Sequence, residues 1–273
     1  MTPSPSHRPL PPATVPASAY DETYYRTASA GATEWEASAG ASPKGMYAGY
    51  LARAGLRPGE VLVDLGTGRG ELLAVAVELG AAAAFGVEYS LDGSRLAMHT
   101  LRTHGAAGPA AVLAADSRAV PLAGQCGDLV TLLDVVEHLS PPELLATMVE
   151  AHRLLRPGGR IVVHTMPTRT VYDVTYRLQR LAVPGRRHRW PADPRNELER
   201  RMHVNEQTRG RLRRSLRRAG FVEVEVEHGA WVMTDFVPDA AAARLYRKLA
   251  AHRVTRRFGV CNLWAVGRRD TTA

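Results

Sequence analysis

An apolar run that ends in an acid and breaks into three closely spaced glycines constrains this chain more than any other feature. The segment is Val61-Leu62-Val63-Asp64-Leu65-Gly66-Thr67-Gly68-Arg69-Gly70-Glu71. A short, near-continuous apolar run reads as a buried strand. The glycines permit a sharp turn and a close approach of a ligand to the main chain. The residues beyond predict a helix over 70–79, whose first N–H groups are free to meet that ligand. The rhythm then repeats. Strands are expected over 84–89, 111–115, 128–135 and 160–165, with helices over 91–104 and 141–155, the latter opened by proline in its first turn. Such alternation predicts an α/β fold, doubly wound, with a mostly parallel sheet.

Flanking segments break the pattern. Residues 1–19 are rich in Pro, Ser, Thr and Ala, offer little to bury, and are expected to be a disordered tail. Residues 20–56 carry tyrosines among helix-forming residues and read as a helical cap. The main domain then spans 57–269. Within it, 168–205 is Arg- and aromatic-rich, a lid insert too long for a plain loop. A basic helix over 208–219 closes at Gly220. Val222, Val224 and Val226 alternate with Glu223, Glu225 and Glu227, the mark of a strand with one wet face. A helical insert over 239–256 precedes a last strand over 260–267.

Composition narrows the class. Of 273 residues, 45% are hydrophobic and 23% charged, the balance of a globular protein. No apolar run approaches the roughly 18 residues of a membrane span, and the N-terminus lacks a secretory pattern. A cytoplasmic protein without membrane insertion is expected. Two cysteines, Cys126 and Cys261, cannot make a disulfide framework or a zinc cluster. Charge is split: 16 of the 27 acidic residues but only nine of the 35 basic ones fall in 1–150. A basic half can serve nucleic acid or an anionic substrate. Arginine-favouring codon bias accounts for part of it, since only Lys44 and Lys248 are lysine.

Further acids extend the glycine segment. Glu88 ends the second strand, twenty residues beyond Gly68, where a carboxylate can accept both hydroxyls of a ribose. Glu71 stands where a dinucleotide fingerprint wants its third glycine, and Asp64 suits a cationic group better than a pyrophosphate. Asp116 ends the third strand, where it could take the exocyclic amine of an adenine. The fourth strand, Asp128-Leu129-Val130-Thr131-Leu132-Leu133-Asp134, carries Asp134, Glu137 and His138 at its tip, and Leu154-Leu155-Arg156-Pro157-Gly158-Gly159-Arg160-Ile161-Val162-Val163 follows.

In these five motifs, taken in order, the chain resembles the class I S-adenosylmethionine-dependent methyltransferases of the small-molecule and natural-product type. The match runs from about Val61 to Val163 and more loosely to Gly267. The resemblance implies a Rossmann-like, seven-stranded sheet with its last strand antiparallel. It implies S-adenosylmethionine as cofactor, leaving as S-adenosylhomocysteine. Asp64, Gly66, Thr67, Gly68 and Gly70 would surround its methionine part, Glu88 the ribose, and Tyr89, Asp116 and Ser117 the adenine, with Asp134 beside the methyl-transfer site.

A sulfonium methyl is already electrophilic, so positioning the nucleophile is the main task. A hydroxyl or amine acceptor also needs a base. His203, His138, Glu206 and Asp134 are the candidates. His203 could instead be a plain surface histidine beside a cap formed by Asn205 or Thr208, and His138 could bond backbone near its own turn. Tyr24, Tyr25, Tyr172, Tyr176 and His203 are expected on the substrate, an anionic or aromatic small molecule. The tip Leu133-Asp134-Val135-Val136 carries no Asn-Pro-Pro-Tyr or Pro-Cys signature. The fifth strand ends in His164-Thr165-Met166-Pro167, without the acid pair of magnesium-dependent catechol-type enzymes, so no metal is expected. Two alternatives stay open: an RNA methyltransferase using the basic half, for which no RNA-binding module is evident, and a non-catalytic binding protein that keeps the fold.

Overall fold

Each of the apolar runs becomes a strand, and together they form one sheet. The computed structural model describes residues 10–41, 45–105, 108–182, 190–232 and 240–272. The strands are β1 (Val61–Leu65), β2 (Ala83–Glu88), β3 (Ala110–Ala114), β4 (Gly127–Leu133), β5 (Leu155–Thr165), β6 (Val222–His228) and β7 (Leu263–Arg268). Their order is β3-β2-β1-β4-β5-β7-β6. All pairings are parallel except those of β7, which runs antiparallel to both β5 and β6. The implied seven-stranded, mostly parallel sheet is therefore what forms.

Strand alternation feeds two cores. Val63 and Leu65 of β1 face one side, where α6 (Pro141–Leu154) and α9 (Arg209–Arg218) bury Leu144, Met148, Leu212 and Leu216. Leu62 faces the other side, against α3 (Gly45–Ala54) and α4 (Glu71–Glu78), with α5 (Leu91–His104) beyond. Both faces of the sheet are thus covered, which is why its central strands read as unbroken apolar runs.

The cap consists of α1 (Glu22–Thr27), α2 (Ala32–Ser38) and α3. The lid begins with a π-helical turn at Val171–Tyr176 that continues as α7 (Arg177–Ala182), and α8 (Glu197–Met202) follows. The later insert is α10 (Ala240–Ala251). The two inserts meet: Tyr172, Tyr176 and Trp190 of the lid pack with Tyr246 of α10 and Cys261 in a buried cluster. Among the described residues no helix is long and apolar enough to cross a membrane.

Three expectations need adjustment. Residues 10–19 are not a loose tail: Val15 is buried, and the Thr14 N–H donates to Glu143 Oε1 at 2.7 Å. Residues 1–9 lie outside the described residues. β5 begins at Leu155 rather than Arg160, because Leu155 already pairs with Gly127 across an irregular step in register. In β6 only Val224 and Val226 are buried, and Val222 is exposed. The register shifts between Val222 and Glu225, where Glu223 adopts φ 48°, so the alternation is interrupted at that bulge.

Candidate active site

The strand order reverses between β1 and β4, and a crevice opens there at the carboxyl ends of the strands, as the topology requires. It holds a cavity of about 210 Å³. Asp64, Gly66, Thr67, Gly68, Glu88, Tyr89, Asp116, Ser117 and Asp134 all line it. Gly70 does not. It is the N-cap of α4 at φ 76°, and a Cβ there would stand 3.0 Å from the Ala97 Cα. Its task is to let α4 pack on α5.

Gly66 also needs its missing side chain. At φ 82° a Cβ would lie 2.4 Å from a methyl of Val135, so the β1 turn and the β4 tip can touch only through glycine. At Gly68 the nearest neighbour of such a Cβ is a Tyr25 ring carbon at 3.7 Å, so the space above the turn belongs to the cavity.

Asp64 is buried, and its Oδ1 accepts the Thr131 hydroxyl at 2.6 Å. Burial pushes its pKa up to about 6. Glu88 is also buried. Its Oε2 accepts the Gly68 N–H at 2.8 Å, and its Oε1 accepts the Ser90 N–H and the Tyr25 hydroxyl, each at 2.9 Å. Burial raises the Glu88 pKa, against the pull of these donors. Asp116 is held by the Arg118 guanidinium, with contacts of 2.7 to 3.1 Å. The Ser117 hydroxyl lies 3.0 Å from that of Thr147.

Beyond the cofactor acids, Asp134 sits at φ 54°, with Oδ1 2.8 Å from Nδ1 of the buried His164 on β5. Asn262 Nδ2 lies 3.0 Å from the other His164 nitrogen. His138 lines the cavity, with the rings of Tyr20 and His203 edge-on at 5.7 and 5.0 Å. Burial pushes His138 down to about 3 and His203 down to about 4, so both rings are neutral near neutral pH.

The remaining candidates lie elsewhere. His203 is at the end of α8 and meets the cavity wall through His138 rather than lining the cavity itself. Thr208 is the cap of α9, accepting the Arg211 N–H. Glu206 is not on the cavity and pairs with Arg195 at 3.1 Å. Tyr172 and Tyr176, expected on the substrate, sit in the lid cluster, because Tyr176 packs on Trp190 and its hydroxyl donates to the Pro191 carbonyl. Tyr24 and Tyr25 do line the cavity, but Tyr25 does so from the Glu88 side.

Several lining residues went unsingled in the sequence. Arg69 is buried, pairs with Glu71 at 3.0 Å, donates to the Ala30 carbonyl at 2.7 Å and binds the Ser29 hydroxyl, tying the cap to the glycine turn. Tyr47, Tyr50, Arg118 and Glu143 complete the wall. An arginine between two glycines of the turn was a usable signal; the others are brought in by tertiary contacts alone.

A sheet in this order, with carboxylates at its strand tips around a glycine turn, defines the Rossmann-like methyltransferase fold. The chain belongs to the methyltransferase domain family, whose sequence profile matches residues 44–226. No curated protein sequence matches it. Solved structures share the fold at low identity. A geranyl diphosphate methyltransferase in complex with GPP and sinefungin is 16% identical, with a TM-score of 0.58 over 82% of this chain and 76% of that one. The [4+2]-cyclase SpnF is 18% identical, with a TM-score of 0.55 over 82% and 80%. A structure bearing on the conversion of a disulfide bond into a thioacetal group during echinomycin biosynthesis is 18% identical, with a TM-score of 0.54 over 85% and 84%.

Proposed function

We propose that the chain is an S-adenosylmethionine-dependent methyltransferase acting on a small molecule. The observation that carries this is Glu88, a buried carboxylate at the β2 tip that faces a cavity shared with Asp64 and Asp116. A ligand with a cationic end, a vicinal diol and an exocyclic amine suits three acids spaced along one crevice. The open space above Gly68 is a cradle a side chain would fill. The cofactor supplies, when bound, a methyl group on an electrophilic sulfonium.

The chain's own residues then have separable tasks. Glu88 accepts the ribose hydroxyls, in competition with the Tyr25 hydroxyl already on its Oε1. Asp64 meets the cationic amino-acid end, and Asp116, steadied by Arg118, offers its remaining acceptor capacity to the adenine amine. Tyr20, Tyr24 and Tyr50 form an apolar wall that excludes water. Asp134 faces the acceptor, and His164 behind it, 2.8 Å away, can hold the carboxylate's orientation while a proton moves to it.

Calorimetry tests this directly. Wild-type protein should bind S-adenosylmethionine and S-adenosylhomocysteine. Glu88→Ala should weaken binding by about 1.5–3 kcal/mol, the worth of hydrogen bonds to a charged acceptor. No affinity for either ligand would leave a binding protein that merely keeps the fold. Transfer of labelled methyl to bulk RNA, sensitive to salt, would move the assignment to the RNA reading.

A further inference from the structure

Where α8 ends, three metal-ligating side chains converge that the cofactor site does not use. Glu137 and His138 follow the β4 tip, and His203 comes from the end of α8 across from them. One donor atom from each lies within 4.8 Å of the others. Nδ1 of His138 and Nδ1 of His203 are both buried without a hydrogen-bond partner. A single orphaned nitrogen is a local defect, but two beside the same carboxylate ask for a common partner. Glu137 is buried too, held by the Thr165 hydroxyl at 2.7 Å. Backbone N–H groups of Glu137 itself and Met166 also reach its carboxyl, and burial beside Asp134 pushes its pKa well up.

We propose that Glu137, His138 and His203 form a binding site for a divalent transition-metal ion, bordering the cavity at His138. Two neutral imidazoles and one carboxylate suit zinc, cobalt(II), iron(II) or manganese(II). Ligand atoms about 2.1 Å from one ion stand at most about 4.2 Å apart, so binding must draw the three donors closer together. The missing acid pair after β5 does not bear on this donor set, which comes from different elements. Three protein ligands leave positions open for an oxygen of the acceptor, whose hydroxyl would pass its proton to the nearby Asp134 carboxylate more readily there. That role rests on the methyl-transfer reading; the ion site does not.

The full-length protein, stripped with a chelator, is titrated with Co²⁺ while visible d–d absorption is recorded. The imidazole ¹⁵N signals are followed during a parallel Zn²⁺ titration. One equivalent should bind, Zn²⁺ should displace Co²⁺, and the signals of His138 and His203 should shift together. His203→Ala should weaken Co²⁺ binding at least about 100-fold, whereas His99→Ala should leave it unchanged. The site is overturned if wild-type protein takes up no ion, if His203→Ala binds as well as wild type, or if the two rings keep their signals while ions bind elsewhere. Should His203→Ala fail to fold, the wild-type ¹⁵N shifts decide alone. Cofactor affinity, measured on the same samples by calorimetry, reports separately on the methyl-transfer reading.

Discussion

Asp64 is a carboxylate placed where ionisation is costly, and that gives its chemistry a pH signature. Its unfolded value lies near 3.9, and burial lifts it to about 6 in the fold. Its protonated form therefore stabilises the fold at low pH, and this contribution is lost as pH rises through about 6. A cationic ligand group reverses the preference. Affinity for the cofactor should rise with pH through about 6 and then level off, with a proton released on binding near that midpoint. Calorimetry in two buffers of different ionisation enthalpy measures the release, and Asp64→Asn should abolish it. At this scale the sequence was partly legible. Asp64 and Glu88 could be singled out because type and position at a strand tip suffice. The Tyr25 hydroxyl on Glu88 could not, since it spans 63 residues of chain. Nor could the left-handed backbone of Asp134 or its closeness to His164.

Elements were read more completely than the contacts between them. β1, β2 and β4 declare themselves because burial on both faces demands unbroken apolar runs. The β6 alternation failed at Val222 because a bulge shifts the register, and the Glu223 backbone that makes it leaves no mark in composition. Gly70 shows the same gap. It reads as part of a ligand turn, yet it serves the packing of α4 on α5. Gly70→Ala should therefore cost stability, about 2–3 kcal/mol by denaturant unfolding, from left-handed strain and the close Ala97 backbone. Cofactor affinity of the folded fraction should change far less. A variant that lost affinity at unchanged stability would return Gly70 to the site.

Over the whole molecule, Arg69 is one of the ties between the N-terminal cap and the sheet domain, beside the packed face of α3 and the Tyr25–Glu88 bond. Its guanidinium and the Glu71 carboxylate are almost wholly buried. Removing one member of such a pair leaves the other uncompensated, a loss of about 3–5 kcal/mol. Arg69→Met should lower thermal stability and expose residues 20–55 to limited proteolysis. Arg69→Met with Glu71→Gln should recover part of both. The charge split also takes its place at this scale. Six of the sixteen acids of the first half, Asp64, Glu71, Glu88, Asp116, Asp134 and Glu143, line the cavity, while α9 turns Arg209, Arg211, Arg214, Arg217 and Arg218 to solvent over its buried Leu212 and Leu216. How the two inserts join through Tyr176 and Tyr246 was beyond the sequence, because about seventy residues separate them. The hydroxyl that Tyr25 lends to Glu88 has a kinetic meaning. For any ligand held by Glu88, arrival and departure each require that bond to be traded, so the cap acts as an escapement. A ligand that displaces the hydroxyl therefore also loosens α1 from the sheet domain.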